Sequence, residues 1–203
     1  MADALLIIDV QNDFCPGGAL AVAEGDAVVP VINALQAAFD TVILTQDWHP
    51  ADHQSFAANH PGAEPYSLTE MSYGPQVLWP VHCVQGSDGA ALRSDLQTGK
   101  SNLLIRKGFR PEIDSYSAFF ENDHKTVTGL DGYLRERGID GLTIAGLATD
   151  FCVKFSAVDA AKLGYRVRVV EDGCRAIDLD GSLAAAMAEM AEHGVEIVTS
   201  EAG

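Results

Sequence analysis

The chain has 203 residues, of which 47% are hydrophobic and 21% charged, an ordinary composition for a globular enzyme. Its formal net charge of −16 argues against nucleic acid and anionic membrane surfaces as partners. The length favours a single domain over residues 1–203, and no apolar run approaches the ~18 residues that span a bilayer.

The N-terminal part of the chain contains almost no positive charge, because no Lys or Arg precedes Arg93. Secretory and transit peptides depend on early positive charge, so neither is expected here. The four cysteines form no CxxC pair and no short disulfide framework. Reduced thiols in a cytoplasmic protein are therefore predicted.

Apolar runs and helical patterns alternate along the chain. Six runs rich in Val, Ile and Leu predict strands at residues 4–10, 41–47, 102–108, 141–148, 165–172 and 195–200. Their near-continuous hydrophobicity is typical of parallel strands that are covered on both faces. Helical patterns cover residues 24–39, 126–137, 150–163 and 180–193. This alternation predicts an α/β sandwich with right-handed crossovers.

One segment interrupts the alternation. Residues 48–100 contain five prolines, five glycines and four histidines and show little periodicity. Long irregular segments within a domain are uncommon and often functional. We therefore predict that this insertion carries part of a site.

Residues that can carry chemistry follow several of the predicted strands. Asp9 follows the first strand, Asp47 and His49 follow the second, Lys107 ends the third, and Cys152 comes shortly after the fourth. Ligands of open parallel sheets bind beyond the carboxyl ends of the strands, so these side chains are expected at one rim. Each of them alone would also fit a structural role, such as an ion pair or a packed thiol.

A metal site is predicted within and before the insertion. Asp47 and His49 are two residues apart, which places their side chains on one side of an extended segment. His82 supplies a further imidazole, and His53 is close enough to join. A carboxylate with imidazoles suits a divalent transition metal, most simply Zn²⁺, with Fe²⁺ or Mn²⁺ as alternatives.

Cys152 has the features of an activated nucleophile. Thr149 or Asp150 can cap the following helix, which would place Cys152 in its first turn, where the helix dipole favours a thiolate. A nearby Lys107 would help to lower the thiol pKa below about 8.5. Asp9 then has a role as acceptor of the thiol proton and donor to a leaving group.

Seven stretches of the sequence carry a family resemblance. In order they are LLIIDVQNDFCPGGAL, TQDWHPADHQSF, WPVHCVQGS, RKG, DSYSAFF, GLATDFCV and VVEDGCRA. With these stretches the chain resembles the nicotinamidase/pyrazinamidase family of isochorismatase-like cysteine hydrolases over nearly its full length. The resemblance implies a three-layer α/β/α fold with a mainly parallel sheet of about six strands. It also implies hydrolysis of nicotinamide to nicotinate and ammonia in NAD salvage, with pyrazinamide as a further substrate.

The resemblance also implies roles for particular residues. It makes Asp9, Lys107 and Cys152 the catalytic residues, and it implies a cis peptide bond before Ala148. The metal ligands would be Asp47, His49 and His82, while His53 matches a position that ligates metal in only some members. Backbone N–H groups of Ala148 and Cys152 would form an oxyanion hole, and the aromatic residues around the substrate would be Phe14, Trp79 and Tyr116.

Three other functions remain open from the sequence. A sister cysteine amidase could act on another small carboxamide or ureido compound, although it would not need the metal-type cluster. A metallohydrolase could use a bound water as nucleophile and leave Cys152 incidental. A noncatalytic binder could keep the same scaffold.

Overall fold

The computed structural model describes residues 2–202 of the chain. Its strands, in chain order, are β1 (Ala2–Ile8), β2 (Thr41–Asp47), β3 (Leu68–Met71), β4 (Gly74–Val77), β5 (Ser101–Lys107), β6 (Ile139–Leu147), β7 (Arg166–Arg175) and β8 (Glu196–Val198). The α-helices are α1 (Val28–Leu35), α2 (Leu130–Glu136), α3 (Lys154–Lys162) and α4 (Ser182–Glu192). Within these residues, no helix has both the length and the apolar character needed to cross a membrane.

The main sheet contains six strands in the order β5-β2-β1-β6-β7-β8, and every neighbouring pair is parallel. The predicted three-layer α/β/α sandwich with a parallel sheet is therefore confirmed. The chain direction across the sheet reverses between β1 and β6, which lie side by side at its centre. Such a switch point opens a crevice at the carboxyl ends of the strands.

The central strands are buried because they are apolar on both faces. The last five residues of β1 and the last seven of β6 are all buried, and their apolar side chains belong to one continuous hydrophobic core. Gly146 in β6 has a φ of 132°, and a Cβ there would collide with the backbone of Ile8. The two central strands thus approach closely just before the residues that carry chemistry.

The predicted helices are shorter in the structure. The pattern over 24–39 contains α1 flanked by two 3₁₀ turns, Gly25–Ala27 and Gln36–Ala38. The helix predicted over 126–137 begins only after Gly129, whose φ is 99°. Gly138 and Gly164 follow α2 and α3 with positive φ, as expected of residues that end helices.

The irregular insertion contains a small hairpin that the sequence pattern did not predict. Strands β3 and β4 pair in antiparallel fashion, with Leu68 opposite Val77 and Met71 opposite Gly74. Isolated bridges join His49 to Val84 and Phe56 to Trp79. The insertion thus packs beside the end of β2. The assignment of residues 1–203 to one domain stays a prediction.

Candidate active site

Asp9, Lys107 and Cys152 meet at the carboxyl ends of β1, β5 and β6. The Nζ of Lys107 lies 2.8 Å from Oδ2 of Asp9 and 3.4 Å from Sγ of Cys152. The side chains of Asp9 and Lys107 have no measurable exposure, and Cys152 is 6% exposed. The structure therefore brings together the acid, the ammonium and the thiol that lie far apart in the sequence.

The Lys107 ammonium holds this cluster together. It also contacts Oδ1 of Asp47 at 2.5 Å and donates to the carbonyl of Ser115 at 2.8 Å. Burial alone would lower the pKa of Lys107, but Asp47 and Asp9 outweigh it and hold this pKa well above the usual value. Lys107 is therefore positively charged at neutral pH.

The pKa of the Cys152 thiol contradicts the sequence prediction. Burial raises the pKa of Cys152 well above its usual value, and Lys107 counters this effect only in part. The lysine is shared with Asp9 and Asp47, whose negative charges add to the rise. The expectation of a lowered thiol pKa is therefore wrong, and the resting group is the neutral thiol.

Asp9 has the properties of a proton acceptor for this thiol. Burial raises the pKa of Asp9 to about 6, although Lys107 opposes the rise. At neutral pH the Asp9 carboxyl group is therefore ionised in most molecules. One oxygen of Asp9, one of Asp47 and Sγ of Cys152 lie within 4.8 Å of one another. Thr45 orients Asp9 by donating its hydroxyl to Oδ1 at 2.6 Å.

The turn that carries Cys152 differs from the predicted helix start. Thr149–Val153 form a π-helical turn ahead of α3, and no side chain caps it. Asp150 instead accepts hydrogen bonds from the backbone N–H groups of Ile177 and Asp178 and from the Ser182 hydroxyl. The prediction that Thr149 or Asp150 caps the helix is therefore wrong, because Asp150 binds the loop before α4. The Leu147–Ala148 peptide bond is cis, as expected.

Asp47, His49 and His82 form a compact group beside the thiol. The Nε2 atoms of His49 and His82 lie 3.6 Å and 4.0 Å from Oδ2 of Asp47. The other ring nitrogens are occupied, since Nδ1 of His49 lies 2.8 Å from the carbonyl of Gly108 and Nδ1 of His82 lies 2.8 Å from that of Pro80. Such carbonyl partners place the proton on Nδ1 and turn the Nε2 lone pair inward.

The charges of this group also suit a cation. Burial raises the pKa of Asp47, but Lys107 and the two histidines outweigh it, so this carboxylate stays ionised. Burial and the neighbouring His49 lower the pKa of His82 to about 4. Burial lowers the pKa of His49, but Asp47 outweighs this effect and raises it. A buried anion and inward-facing imidazole nitrogens are the donors that a divalent transition metal requires.

His53 stands behind this group. Its Nδ1 accepts a hydrogen bond from the backbone N–H of Ser55 at 3.2 Å and lies 2.7 Å from the Ser55 hydroxyl. Its Nε2 is buried and has no hydrogen-bond partner among residues 2–202. One ring nitrogen of His53 also lies within 4.8 Å of ligand atoms of His49 and Asp114.

An aromatic pocket opens over the thiol. Phe14, Trp79 and Tyr116 line it, as predicted, together with Cys152 and the three candidate metal ligands. Sequence reasoning missed Leu20, Asp114, Phe151 and Ile177, which line the same pocket. A wider groove of about 510 Å³ lies near the amino ends of β7 and β8, but neither a cysteine nor a histidine lines it.

Comparisons with known proteins agree with this geometry. The chain matches the Isochorismatase domain over residues 3–202. It is 54% identical over 197 residues to a nicotinamidase of Acinetobacter baylyi, covering 97% of this chain and 92% of the relative. A solved nicotinamidase/pyrazinamidase of Acinetobacter baumannii superposes with a TM-score of 0.98 at 54% identity, over 98% of this chain and 97% of the other.

A more distant structure carries a metal. The pyrazinamidase of Pyrococcus horikoshii, solved in complex with zinc, superposes with a TM-score of 0.79 at 32% identity, over 98% of this chain and 99% of the other. The fold and the site thus define an isochorismatase-like hydrolase. Within that class, the chain belongs to the nicotinamidase/pyrazinamidase family.

Proposed function

We propose that the chain hydrolyses nicotinamide to nicotinate and ammonia through a thioester on Cys152, as a step of NAD salvage, and that pyrazinamide is a second substrate. The observation that carries the proposal is the contact of a buried thiol, an ammonium and a carboxylate at the base of an aromatic pocket. The flat side chains of the pocket suit a heteroaromatic ring. Four reduced cysteines also fit a cytoplasmic enzyme.

Each member of the trio has a defined role in the chemistry. Asp9 removes the proton of the Cys152 thiol, and the sulfur attacks the carboxamide carbon. Asp9 then returns the proton to the departing ammonia, and water hydrolyses the thioester with Asp9 as its base. Lys107 stays charged throughout and stabilises the thiolate as it forms.

The backbone of the nucleophile turn stabilises the anionic intermediate. The N–H groups of Ala148 and Cys152 donate to the oxygen that becomes negative after sulfur attack. One such donor contributes roughly 3–4 kcal/mol in a comparable oxyanion hole. The aromatic ring of the substrate lies among Phe14, Trp79 and Tyr116, which leaves its carboxamide over the sulfur.

Asp47, His49 and His82 would hold a divalent metal. Such an ion would supply a positive charge beside the pocket. The zinc in the related pyrazinamidase supports Zn²⁺, while Fe²⁺ and Mn²⁺ accept the same donors. Gly108 and Pro80 fix the two imidazole rings through their carbonyl groups.

The proposal is tested by ammonia release from nicotinamide, pyrazinamide and a ureido compound of similar size. We expect Cys152→Ala to lower kcat by more than about 10⁴-fold and Asp9→Ala to lower it comparably, with the fold intact. Cys174→Ala is the matched control, because Cys174 is buried in β7 and does not line the pocket. Substantial turnover by Cys152→Ala would reject the covalent mechanism, and preference for the ureido compound would reject nicotinamide as substrate.

A further inference from the structure

The hairpin of β3 and β4 places one buried amide beside the pocket. Gln76 in β4 is 1% exposed, and its Nε2 lies 2.7 Å from the hydroxyl of Tyr116 and 2.9 Å from Oδ2 of Asp114. Its Oε1 accepts hydrogen bonds from the Tyr73 hydroxyl and the Asn122 amide, each at 3.1 Å. A single side chain thus joins the hairpin to two residues that line the pocket.

The orientation of this amide is fixed by its neighbours. Nε2 faces only acceptors, since the carbonyl of Val77 also lies 2.8 Å away. A flipped amide would place Oε1 against that carbonyl and the Asp114 carboxylate, and it would turn Nε2 toward the Asn122 amide group. The network therefore favours this orientation, in which the two N–H bonds of Nε2 are shared among three acceptors and Oε1 faces two donors.

The hydroxyl of Tyr116 is held on two sides. Gln76 donates to it from one side, and the indole Nε1 of Trp79 donates at 3.0 Å from the other. The ring of Tyr116 meets those of Trp79 and Phe151 edge to face, with centroids 6.2 Å and 5.7 Å away. The position of this aromatic wall thus depends on hydrogen bonds made outside the pocket.

The same network reaches the reacting groups. Asp114 accepts from Gln76 through Oδ2 and from the backbone N–H of Ser115 through Oδ1 at 2.8 Å. The carbonyl of Ser115 in turn accepts from the Lys107 ammonium. Three hydrogen bonds therefore connect Gln76 to the lysine, through the segment that also carries Tyr116.

We propose that Gln76 is a positioning residue, which sets substrate affinity mainly by fixing Tyr116 at the pocket wall. The proposal rests on the proposed function, because it assigns the wall to binding of the substrate ring. Gln76 touches neither the thiol nor the groups that move protons. Its loss should therefore weaken binding of the ring far more than it slows the chemical steps.

The test is the steady-state kinetics of Gln76→Met, which keeps the length of the side chain and removes both polar atoms. We expect KM for nicotinamide to rise about tenfold while kcat stays within about threefold. Gln97→Met is the matched control, because Gln97 is exposed and its side chain makes no hydrogen bond within the described residues. An unchanged KM in Gln76→Met, with or without a lower melting temperature, would overturn the proposal.

A double-mutant cycle shows whether Gln76 acts through Tyr116. In a Tyr116→Phe background, Gln76→Met should raise KM by less than about twofold, since the hydroxyl that it holds is already absent. A full tenfold rise in that background would overturn the proposal.

Should Gln76→Met not fold, Tyr73→Phe offers a second test. It removes one donor to Gln76 and should raise KM about threefold, and an unchanged KM would again contradict the proposal.

A spectroscopic measurement separates this proposal from the proposed function. The indole N–H proton resonance of Trp79 should shift in Gln76→Met, because its acceptor Tyr116 loses its second partner, while the resonance of Trp48 serves as internal reference. If the wild type releases no ammonia from nicotinamide, the proposed function fails. The role of Gln76 in fixing Tyr116 then fails only if the Trp79 resonance does not shift.

Discussion

At the scale of single residues, the site depends on how charge is shared around Lys107. One ammonium lies between two buried carboxylates and next to a thiol. A third negative charge, on the sulfur, would have to share the same cation, which is why the thiol keeps its proton at rest. Proton transfer to Asp9 avoids this conflict, because Asp9 becomes neutral as the sulfur becomes negative.

This arrangement predicts how the reactivity of Cys152 depends on pH. Because burial raises the pKa of Asp9 to about 6, its carboxylate is available above that pH and protonated below it. The rate of Cys152 alkylation by iodoacetamide should therefore rise with pH through about 6. Mass spectrometry of the peptide that contains Cys152 measures this rate separately from the other cysteines.

Asp9→Asn is the control for this prediction. The amide cannot accept the proton, so the rise near pH 6 should vanish. A rate that is constant between pH 5 and 7 in the wild type would show that Asp9 does not accept the thiol proton. If the alkylation rate also rises near pH 6 in Asp9→Asn, the group that titrates there is not Asp9.

Residue identities were predictable at this scale, but proton positions were not. The sequence predicted that Asp9, Lys107 and Cys152 lie at one rim, because the carboxyl ends of parallel strands lie at the same edge of the sheet. The thiol pKa depends on burial and on a second carboxylate that competes for the lysine. Those quantities follow from packing, which the sequence pattern does not specify.

At the scale of secondary structure, the end of β5 determines how His49 is held. Gly108 follows β5 with a φ of 64°, and its carbonyl receives Nδ1 of His49. A Cβ at Gly108 would overlap the His49 ring, with Nδ1 only 2.7 Å away. Only glycine therefore allows both this backbone turn and the close approach of the ring.

Gly108→Ala should weaken metal binding. Displacement of a residue that orients a metal ligand typically costs about 10–100-fold in metal affinity, and we expect a loss of that order for Zn²⁺. Competition with a chromophoric chelator measures the affinity directly. Gly99→Ala is the matched control, since Gly99 has no neighbour that a Cβ would meet within 4 Å. Equal zinc affinity in both variants would exclude His49 as a ligand held by Gly108.

The hairpin and the π-helical turn could not be predicted from local sequence patterns. Strand β4 contains Pro75, which lacks an N–H group, and its turn lacks the usual Asn-Gly or Asp-Gly signal. The two pocket-lining partners of Gln76 lie about 40 positions away in the chain, so no local pattern could reveal them. Likewise Asp150 resembled a helix cap because its true partners lie 27 to 32 residues further on.

At the scale of the whole molecule, the parallel sheet explains why sequence predicted most of the fold. Six apolar runs match its six strands to within a few residues, since burial on both faces demands continuous hydrophobicity. The strand order then places the ends of β1, β2, β5 and β6 side by side. The site therefore follows from topology. The pocket walls come from the segments after β1 and β5, the irregular insertion, the π-helical turn and the loop before α4.

Metal binding should stabilise the whole molecule, because Asp47, His49 and His82 come together only in the folded state. At a free Zn²⁺ concentration of 100 times Kd, the free energy of unfolding should rise by about 2.7 kcal/mol. Thermal unfolding of chelator-treated protein, with and without added Zn²⁺, measures this difference.

His82→Ala should lose most of the zinc-induced shift in stability, because it removes an inward-facing nitrogen. Cys152→Ala should keep it, because the thiol is not a ligand. An equal shift in His82→Ala would locate the zinc elsewhere, and its absence in the wild type would remove the metal from the site.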